Sequence, residues 1–144
     1  MSDATLADLL ERIVLAGVGL TTRALAEATP GLDLTFPQWR VLVVLGEADA
    51  GATVSEVAGR IGVTVPATSR QLRRLASRGL IEIGPDTHDR RAVRALLTTT
   101  GRSAREAILA FRRRRIVGSV SRIKVAEASL RELATITEAL DEYR

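Results

Sequence analysis

The sequence contains no cysteine and a single histidine, His88. Without cysteine the chain has no disulfide, no thiolate metal site, no cysteine nucleophile and no thiol-based redox sensor. His88 lies in a turn-rich polar segment, 84–89, that offers neither further metal ligands nor the partners of a general base. The sequence shows no other arrangement of nucleophile, base and oxyanion donors. We therefore expect no enzyme, no metal and no cofactor.

Long apolar runs are also missing. No uninterrupted apolar run approaches membrane-spanning length, and Asp3, Asp8 and Glu11 lie among the N-terminal residues, where a secretory leader would be apolar. We therefore expect a cytoplasmic protein without a membrane partner. The 144 residues, of which 46% are hydrophobic and 26% charged, suit one compact unit that buries a core.

Basic residues are concentrated in one segment of the chain. Residues 60–94 contain eight arginines against three acidic residues, a net charge of +5, whereas the rest of the chain is close to neutral. Such a local excess is typical of a polyanion-binding face, although a solvated surface would show the same count. The arginines are Arg60, Arg70, Arg73, Arg74, Arg78, Arg90, Arg91 and Arg94.

Residues 5–29 are predicted to form a long helix that ends at Pro30 and Gly31. A helix that is apolar beyond one stripe is buried on more than one side, which points to a subunit interface as readily as to a core. One face carries Leu6, Leu9, Leu10, Ile13, Gly17 and Leu20, and other faces carry Val14, Leu15 and Val18.

Capping signals predict three shorter helices after the first. Thr35 with Gln38 and Thr53 with Glu56 both fit a capping box, in which each side chain bonds the backbone of the other residue. Thr64 can cap the next helix. The three predicted helices span residues 35–48, 53–62 and 64–79.

The C-terminal half begins with two predicted strands, 80–83 and 93–97, joined by a polar turn with a basic tip. A long helix is then expected from about Thr98 through at least Arg115. The predicted order is four helices, a hairpin and two helices. The last helix carries an apolar stripe of Leu130, Leu133, Ile136, Leu140 and Tyr143.

The helix predicted at 64–79 has two contrasting faces. Two short helices joined by a tight turn containing glycine form a minimal helix-turn-helix. Small residues let its second helix approach base edges in a major groove, where arginine binds guanine or phosphate through paired donors. The inner face is expected to hold Val65, Thr68, Leu72, Leu75 and Ala76, and the outer face Pro66, Arg70, Arg73, Arg74 and Ser77, with Ser69 at the boundary. The pattern predicts contact with duplex DNA.

The hairpin segment resembles the wing signature of the MarR family of transcriptional regulators. From Asp89 to Gly101 the sequence reads Asp-Arg-Arg-Ala-Val-Arg-Ala-Leu-Leu-Thr-Thr-Thr-Gly, similar to the family's Asp-x-Arg followed by Leu-x-Leu-Thr-x-x-Gly. Ala95 departs from this pattern, because the family usually has leucine there. The helix predicted at 64–79 is also similar to the family's recognition helix, and the Gly-Leu-Ile segment at 79–81 resembles the one that leads from that helix into the first wing strand. The order of the helices matches that of the family over nearly the whole chain.

The resemblance implies a fold that is mainly α with a small β-hairpin wing, a winged helix-turn-helix that dimerises through its N- and C-terminal helices. It implies an N-terminal dimerisation helix (1–33), a DNA-binding lobe (34–100) and C-terminal helices that complete the dimerisation region (101–144). A dimer would place two recognition helices roughly 34 Å apart on a near-palindromic site. The implied dimerisation residues are Leu6, Leu9, Leu10, Ile13, Leu133 and Leu140.

The resemblance also assigns roles at the DNA interface. Arg91 corresponds to the wing arginine that enters the minor groove, where negative potential favours guanidinium, and Asp89 corresponds to the acidic residue that supports it. The expected DNA-binding residues are Thr64, Pro66, Ser69, Arg70, Arg73, Arg74, Arg90 and Arg91.

The function implied is sequence-specific regulation of transcription. We expect a repressor whose operator binding is modulated by a small aromatic or anionic effector. Trp39 and Phe111 are candidates for the effector pocket, although core positions are the commoner role for these residues and for Phe36. The alternative is a winged-helix protein-interaction module without specific DNA binding.

Arg112–Arg115 form a run of four consecutive arginines. Four residues span about 300° of a helix, so at least one must turn toward the protein or a partner subunit. Three roles stay open: solvated side chains, an ion pair between subunits with the acidic last helix, or an anionic effector site. The acidic residues of that helix are Glu138, Asp141 and Glu142.

Overall fold

The computed structural model describes residues 2–86, 89 and 91–141. Tyr143, Glu142, Arg90 and His88 lie outside the described residues. The helices and strands follow the predicted order, with one additional strand before the third helix. They are α1 (Asp3–Glu27), α2 (Phe36–Gly46), β1 (Ala52–Thr53), α3 (Val54–Ile61), α4 (Val65–Ser77), β2 (Ile81–Pro85), β3 (Val93–Leu97), α5 (Thr99–Val120) and α6 (Glu127–Ala139).

The predicted capping residues begin the helices of the central lobe. Thr35 and Thr53 form complete capping boxes with Gln38 and Glu56, as the sequence predicted. The hydroxyl of Thr64 accepts the amide of Ala67 and so caps α4. Each cap satisfies amides that have no partner within the helix, which defines where the helix starts.

The sheet is three-stranded and antiparallel, in the order β1-β3-β2. Ala95 in the central strand pairs with Ala52 of β1 and Ile83 of β2. Strands therefore flank the residue on both sides, and its side chain, at this departure from the family pattern, is buried. The sequence did not predict β1, because two residues are too short to show an alternating pattern.

The core lies where α2, α4 and α5 meet the sheet. Leu42, Leu72, Leu75 and Ile108 are all fully buried there, and Trp39 is buried beside them. Phe36 departs from the expected core role, because 39% of it is exposed at the first turn of α2.

The long terminal helices are much more exposed than this core. α6 buries none of its residues, and α1 buries three, Thr21, Ala24 and Leu25, near its C-terminal end. In the described part of the chain, no helix combines the length and the apolar character needed to span a bilayer.

Candidate nucleic-acid interface

The helices α3 and α4 are joined by a three-residue turn, 62–64. Gly62 adopts a left-handed conformation (φ 69°) that ends α3, and its amide donates to the carbonyl of Ala58. The Thr68 side chain is fully buried and its hydroxyl donates to the Thr64 carbonyl at 3.1 Å. Glycine fits this turn because the left-handed region is strained for other residues. The pair has the compact geometry of a helix-turn-helix.

The outward face of α4 carries three exposed arginines, Arg70, Arg73 and Arg74. None of them forms an ion pair with any residue that the structure describes. Among the other predicted contact residues on or beside this helix, Thr64 and Pro66 are exposed and Ser69 is half-buried. The prediction for Val65 was wrong: 46% of it is exposed, because the first turn of α4 extends beyond the core.

Three arginines of the basic segment bind the protein itself. Arg60 pairs with Glu47 at 2.6 Å, Arg94 pairs with Asp86 at 2.6 Å, and Arg78 donates to the Gln38 side chain at 3.3 Å. The local charge excess therefore overstated the number of arginines available to a polyanion. Among the described residues of the basic segment, the arginines that remain available are those of α4 and the wing.

The wing is the turn between β2 and β3. The Arg91 amide donates to the Asp89 carboxylate at 2.9 Å, and the Asp89 amide donates to the Asp86 carboxylate at 3.0 Å. Asp89 therefore supports the wing by holding the backbone of Arg91. The Arg91 side chain is exposed at the tip. Arg90, also predicted to bind DNA, is outside the described residues.

The base of the wing is held by a pair that the sequence analysis missed. Arg94 binds the carboxylate of Asp86, which is almost fully buried, and it also donates to the carbonyl of Gly51 at 2.7 Å. Arg94 thereby connects the wing to the segment that precedes β1. The only signal in the sequence was an acidic residue at the end of one strand and a basic residue near the start of the next.

A cavity of about 590 Å³ lies between α1, α2 and α5. Trp39 lines this cavity, as does the half-exposed Phe36. Phe111 does not line it, and its ring instead lies under the Arg115 guanidinium, 5.2 Å from the centroid. The wall is formed by Val14, Gly17, Val18, Thr21, Phe36, Trp39, Arg40, Val43, Val44, Glu47, Arg105, Leu109, Arg112 and Arg113.

Two arginines of this wall have buried donors without partners. Nε of Arg105 and Nε of Arg112 have no hydrogen-bond acceptor among the described residues. Burial lowers the pKa of the Arg112 guanidinium, because the charged form is poorly solvated there. The Arg105 side chain passes directly over Gly46, where a Cβ atom would collide with it. The cavity is thus positively charged on the α5 side.

The structure also separates the members of the arginine run. Arg112 is the residue that turns toward the protein, as four consecutive helical positions required. Arg115 lies within 3.7 Å of Glu27 on α1, a partner in its own chain that the sequence analysis did not consider. Arg113 is exposed and lines the cavity.

Apolar residues cover the surface of the three terminal helices. Of the predicted dimerisation residues, Leu9, Ile13, Leu133 and Leu140 are exposed, and Leu6 and Leu10 are half-buried. Apolar residues of α1 and α5 also form part of the lining of a groove of about 500 Å³ between these two helices. Further exposed apolar residues of these helices are Val14, Leu15, Val18, Ile116, Val117, Val120 and Leu130, and the segment between α5 and α6 adds Ile123 and Val125.

The helix-turn-helix, the three-stranded sheet and the wing together define a winged helix-turn-helix protein. The MarR family model matches residues 32–92, which include α2, α3, α4 and most of the wing. The chain is similar to the MarR family over residues 32–92, and its fold is that of solved MarR-family proteins. No curated protein sequence matches the chain.

Solved structures share this fold over almost the whole chain. RV1404 from Mycobacterium tuberculosis is 29% identical with a TM-score of 0.82, covering 96% of this chain and 94% of its own. A MepR variant of S. aureus, bound to an oligodeoxyribonucleotide, is 25% identical with a TM-score of 0.64, covering 96% and 98%. A MarR-family regulator from Rhodococcus sp. RHA1 is 20% identical with a TM-score of 0.73, covering 97% and 94%, and supports the fold alone.

Proposed function

We propose that this protein is a homodimeric repressor that binds a specific duplex DNA site and releases it in response to a small effector. The observation that carries the DNA-binding part is the outward face of α4, where Arg70, Arg73 and Arg74 are exposed and have no ion-pair partner among the described residues. The MepR relative bound to an oligodeoxyribonucleotide supports it. Action on bacterial DNA would place the protein in the cytoplasm.

In this proposal α4 enters the major groove and the wing follows the adjacent minor groove. Pro66 and Ser69 are small and let the helix approach base edges, while the arginines bind guanine or phosphate through paired donors. Arg91, with its backbone held by Asp89, is presented to the narrow groove, where the negative potential attracts guanidinium.

A second copy of the chain is the partner that we propose for the terminal helices. α6 buries no residue within its own chain, yet Leu133 and Leu140 expose apolar surface. Exposed apolar patches of this extent usually mark an interface, and a symmetric dimer would bury the same patch twice. Two copies would bind the two halves of a near-palindromic operator and cover the promoter.

For the effector we propose a small anion, with an aromatic or apolar body, in the cavity between α1, α2 and α5. Arg105 and Arg112 supply buried donors that lack an acceptor, and Trp39 supplies an aromatic wall. A buried donor without a partner is costly, and an anionic ligand toward which these guanidinium groups turn would supply the missing acceptor. The effector acts if it favours a spacing of the two lobes different from the one that fits DNA.

The proposed DNA contacts can be tested with a duplex selected by the protein from a random pool. Arg70→Ala and Arg91→Ala should each weaken binding by about 1 to 3 kcal/mol in fluorescence anisotropy titrations. Arg23→Ala removes the same charge from an exposed residue of α1, outside the helix-turn-helix and the wing, so it should leave the affinity unchanged. Equal affinities for all four proteins would exclude the assigned contacts.

Salt dependence separates a DNA-binding protein from a protein-interaction module. Binding through phosphates releases counterions, so the logarithm of the affinity should fall steeply and linearly with the logarithm of the salt concentration. Arg70→Ala should reduce that slope if Arg70 contacts phosphate. A protein that selects no duplex, or whose binding ignores salt, would favour the interaction module instead.

A further inference from the structure

Arg40 of α2 holds the end of the first helix of the helix-turn-helix. Its Nη1 donates to the carbonyl of Ile61 at 2.6 Å, and its Nη2 donates to the carbonyl of Arg60 at 3.5 Å. Both carbonyls belong to the last turn of α3, where helix carbonyls lack partners within the helix. A cation in this position is also favoured by the helix dipole.

Arg40 is also one of the residues that line the cavity. The charged groups that face the cavity from the described elements are four arginines and one carboxylate. They are Arg40 on α2, Glu47 directly after α2, and Arg105, Arg112 and Arg113 on α5. Glu47 in turn binds the Arg60 side chain at 2.6 Å. Two contacts between α2 and the last turn of α3 therefore depend on residues that line the cavity.

These contacts lie next to the turn that positions α4. Ile61 is followed directly by Gly62, and α4 begins three residues later, at Val65. The amide of Val63 bonds back to Ala58 of α3 at 3.2 Å, so the turn is continuous with the end of that helix. A shift of the last turn of α3 would therefore change the placement of the arginines on α4.

We propose that Arg40 is the positioning residue that couples an anion in the cavity to the helix-turn-helix. A carboxylate can accept two parallel hydrogen bonds from a guanidinium and adds the attraction between opposite charges, which a neutral carbonyl does not provide. An anion in the cavity therefore competes with the neutral carbonyls of Ile61 and Arg60 for Arg40. When Arg40 turns to the anion, α3 loses its attachment to α2 and α4 moves from its DNA-binding position. This inference rests on the effector site proposed above.

Benzoate is a suitable probe, and benzamide is its neutral control of nearly the same shape. Trp39 is the only tryptophan in the chain and lines the cavity, so its fluorescence reports occupancy. In the wild type, saturating benzoate should weaken binding to the selected duplex by about 5- to 150-fold, the usual range of coupling between two sites. Benzamide should leave the duplex affinity unchanged.

Three variants distinguish the binding of benzoate in the cavity from the effect of benzoate on duplex affinity. In Arg40→Gln, benzoate should still change Trp39 fluorescence through the α5 arginines, but saturating benzoate should no longer change the duplex affinity. Arg40→Lys keeps the cation and should restore part of the benzoate effect. Arg23→Gln removes a charge from an exposed residue of α1 outside the cavity wall and should respond as the wild type does.

Hydrogen exchange of the wild-type protein tests the coupling without depending on whether a variant folds. Benzoate should speed exchange of the amides at residues 62–68, and benzamide should not.

If benzoate binds and weakens duplex binding equally in the wild type and Arg40→Gln, the effector proposal stands and the coupling is overturned. If benzoate leaves Trp39 fluorescence of the wild type unchanged, the anion site itself is wrong and the coupling fails with it. Failure to select any duplex would instead refute the DNA-binding proposal.

Discussion

The Nε atom of Arg94 lies 2.6 Å from Oδ2 of Asp86, across the base of the wing. The carboxylate is 4% exposed and the guanidinium side chain 23%, so the pair is partly shielded from water. The second oxygen of Asp86 accepts the Asp89 amide, and Asp89 holds the Arg91 amide. A chain of contacts thus runs from a shielded ion pair to the arginine at the wing tip.

Arg94→Ala should loosen the wing and lower stability. Hydrogen bonds to charged groups contribute about 1.5 to 3 kcal/mol, so we expect a loss of that size in the free energy of unfolding, measured with urea. DNA affinity should fall as well. Arg91→Ala is the matched control, because its exposed side chain should change stability by less than about 0.5 kcal/mol while weakening DNA binding. Equal stability of the two variants would show that the Arg94 pair does not hold the wing.

Gly101→Ala should destabilise the protein although alanine favours helices. A Cβ atom at Gly101 would collide with the backbone carbonyl of Leu80, so the first turn of α5 would have to shift away from the sheet. Overpacking of this kind costs about 1 to 3 kcal/mol. Gly59→Ala in α3 meets nothing within 4 Å and should stabilise by roughly 0.5 to 1 kcal/mol. Thermal unfolding of both variants shows whether each substitution raises or lowers stability. A Gly101→Ala protein as stable as the wild type would contradict the close approach of Gly101 to the Leu80 carbonyl.

Stability should fall at acidic pH in part because of Glu56. The Thr53 amide, donating at 2.6 Å, and the Thr53 side chain lower the pKa of this carboxylate below its ordinary value of 4.5, and Arg94 adds a smaller effect. Because the pKa is lower in the folded state, Glu56 stabilises the fold above pH 4.5 and this contribution is lost as the pH falls through the folded-state pKa.

The contribution of Glu56 can be isolated with Glu56→Gln. Urea unfolding from about pH 5 downward should show a weaker pH dependence in this variant than in the wild type. Glu106→Gln, an exposed glutamate of α5, serves as the control and should follow the wild-type curve more closely. Identical pH dependence in Glu56→Gln and the wild type would show that the Glu56 carboxylate does not contribute to the loss of stability at acidic pH.

Ile13→Glu should weaken the proposed dimer. Ile13 is 61% exposed on α1, and burying such a side chain contributes about 1.5 to 3 kcal/mol per subunit. Both subunits carry the change, so at 1.4 kcal/mol per factor of ten the dimer dissociation constant should rise by at least about 100-fold in analytical ultracentrifugation. Val63→Glu alters an exposed apolar residue of the DNA-binding lobe and should leave the dimer intact. A dimer that tolerates Ile13→Glu would exclude this face of α1 from the interface.

Features that depend on neighbours in sequence were predictable. The capping boxes at Thr35 and Thr53 join residues three positions apart, so residue types alone identified them. The exposed face of α4 followed from helical periodicity, with Val65 as the exception. That residue lies in the first turn, where the helix extends beyond the core, and periodicity contains no information on where the core ends.

Features that join distant residues were not predictable. Arg60 and Arg94 were counted with the polyanion-binding face, but the structure pairs them with Glu47 and Asp86. The sequence shows that a side chain is charged, whereas the acceptor it meets depends on how the helices and strands pack. Phe111 packs against the core, the commoner of the two roles expected for it, and does not line the cavity; which role it takes depends on how α5 packs against its neighbours.

The sequence by itself determined the order of the helices, their caps and a strong likeness of the wing to one family, because these depend on interactions within a few residues. Only the tertiary structure decided which arginines are exposed without an ion pair among the described residues, which line the cavity, and which, like Arg40, bind a neighbouring helix. Each of those roles requires groups from different helices at hydrogen-bonding distance, and that distance exists only after the chain has packed.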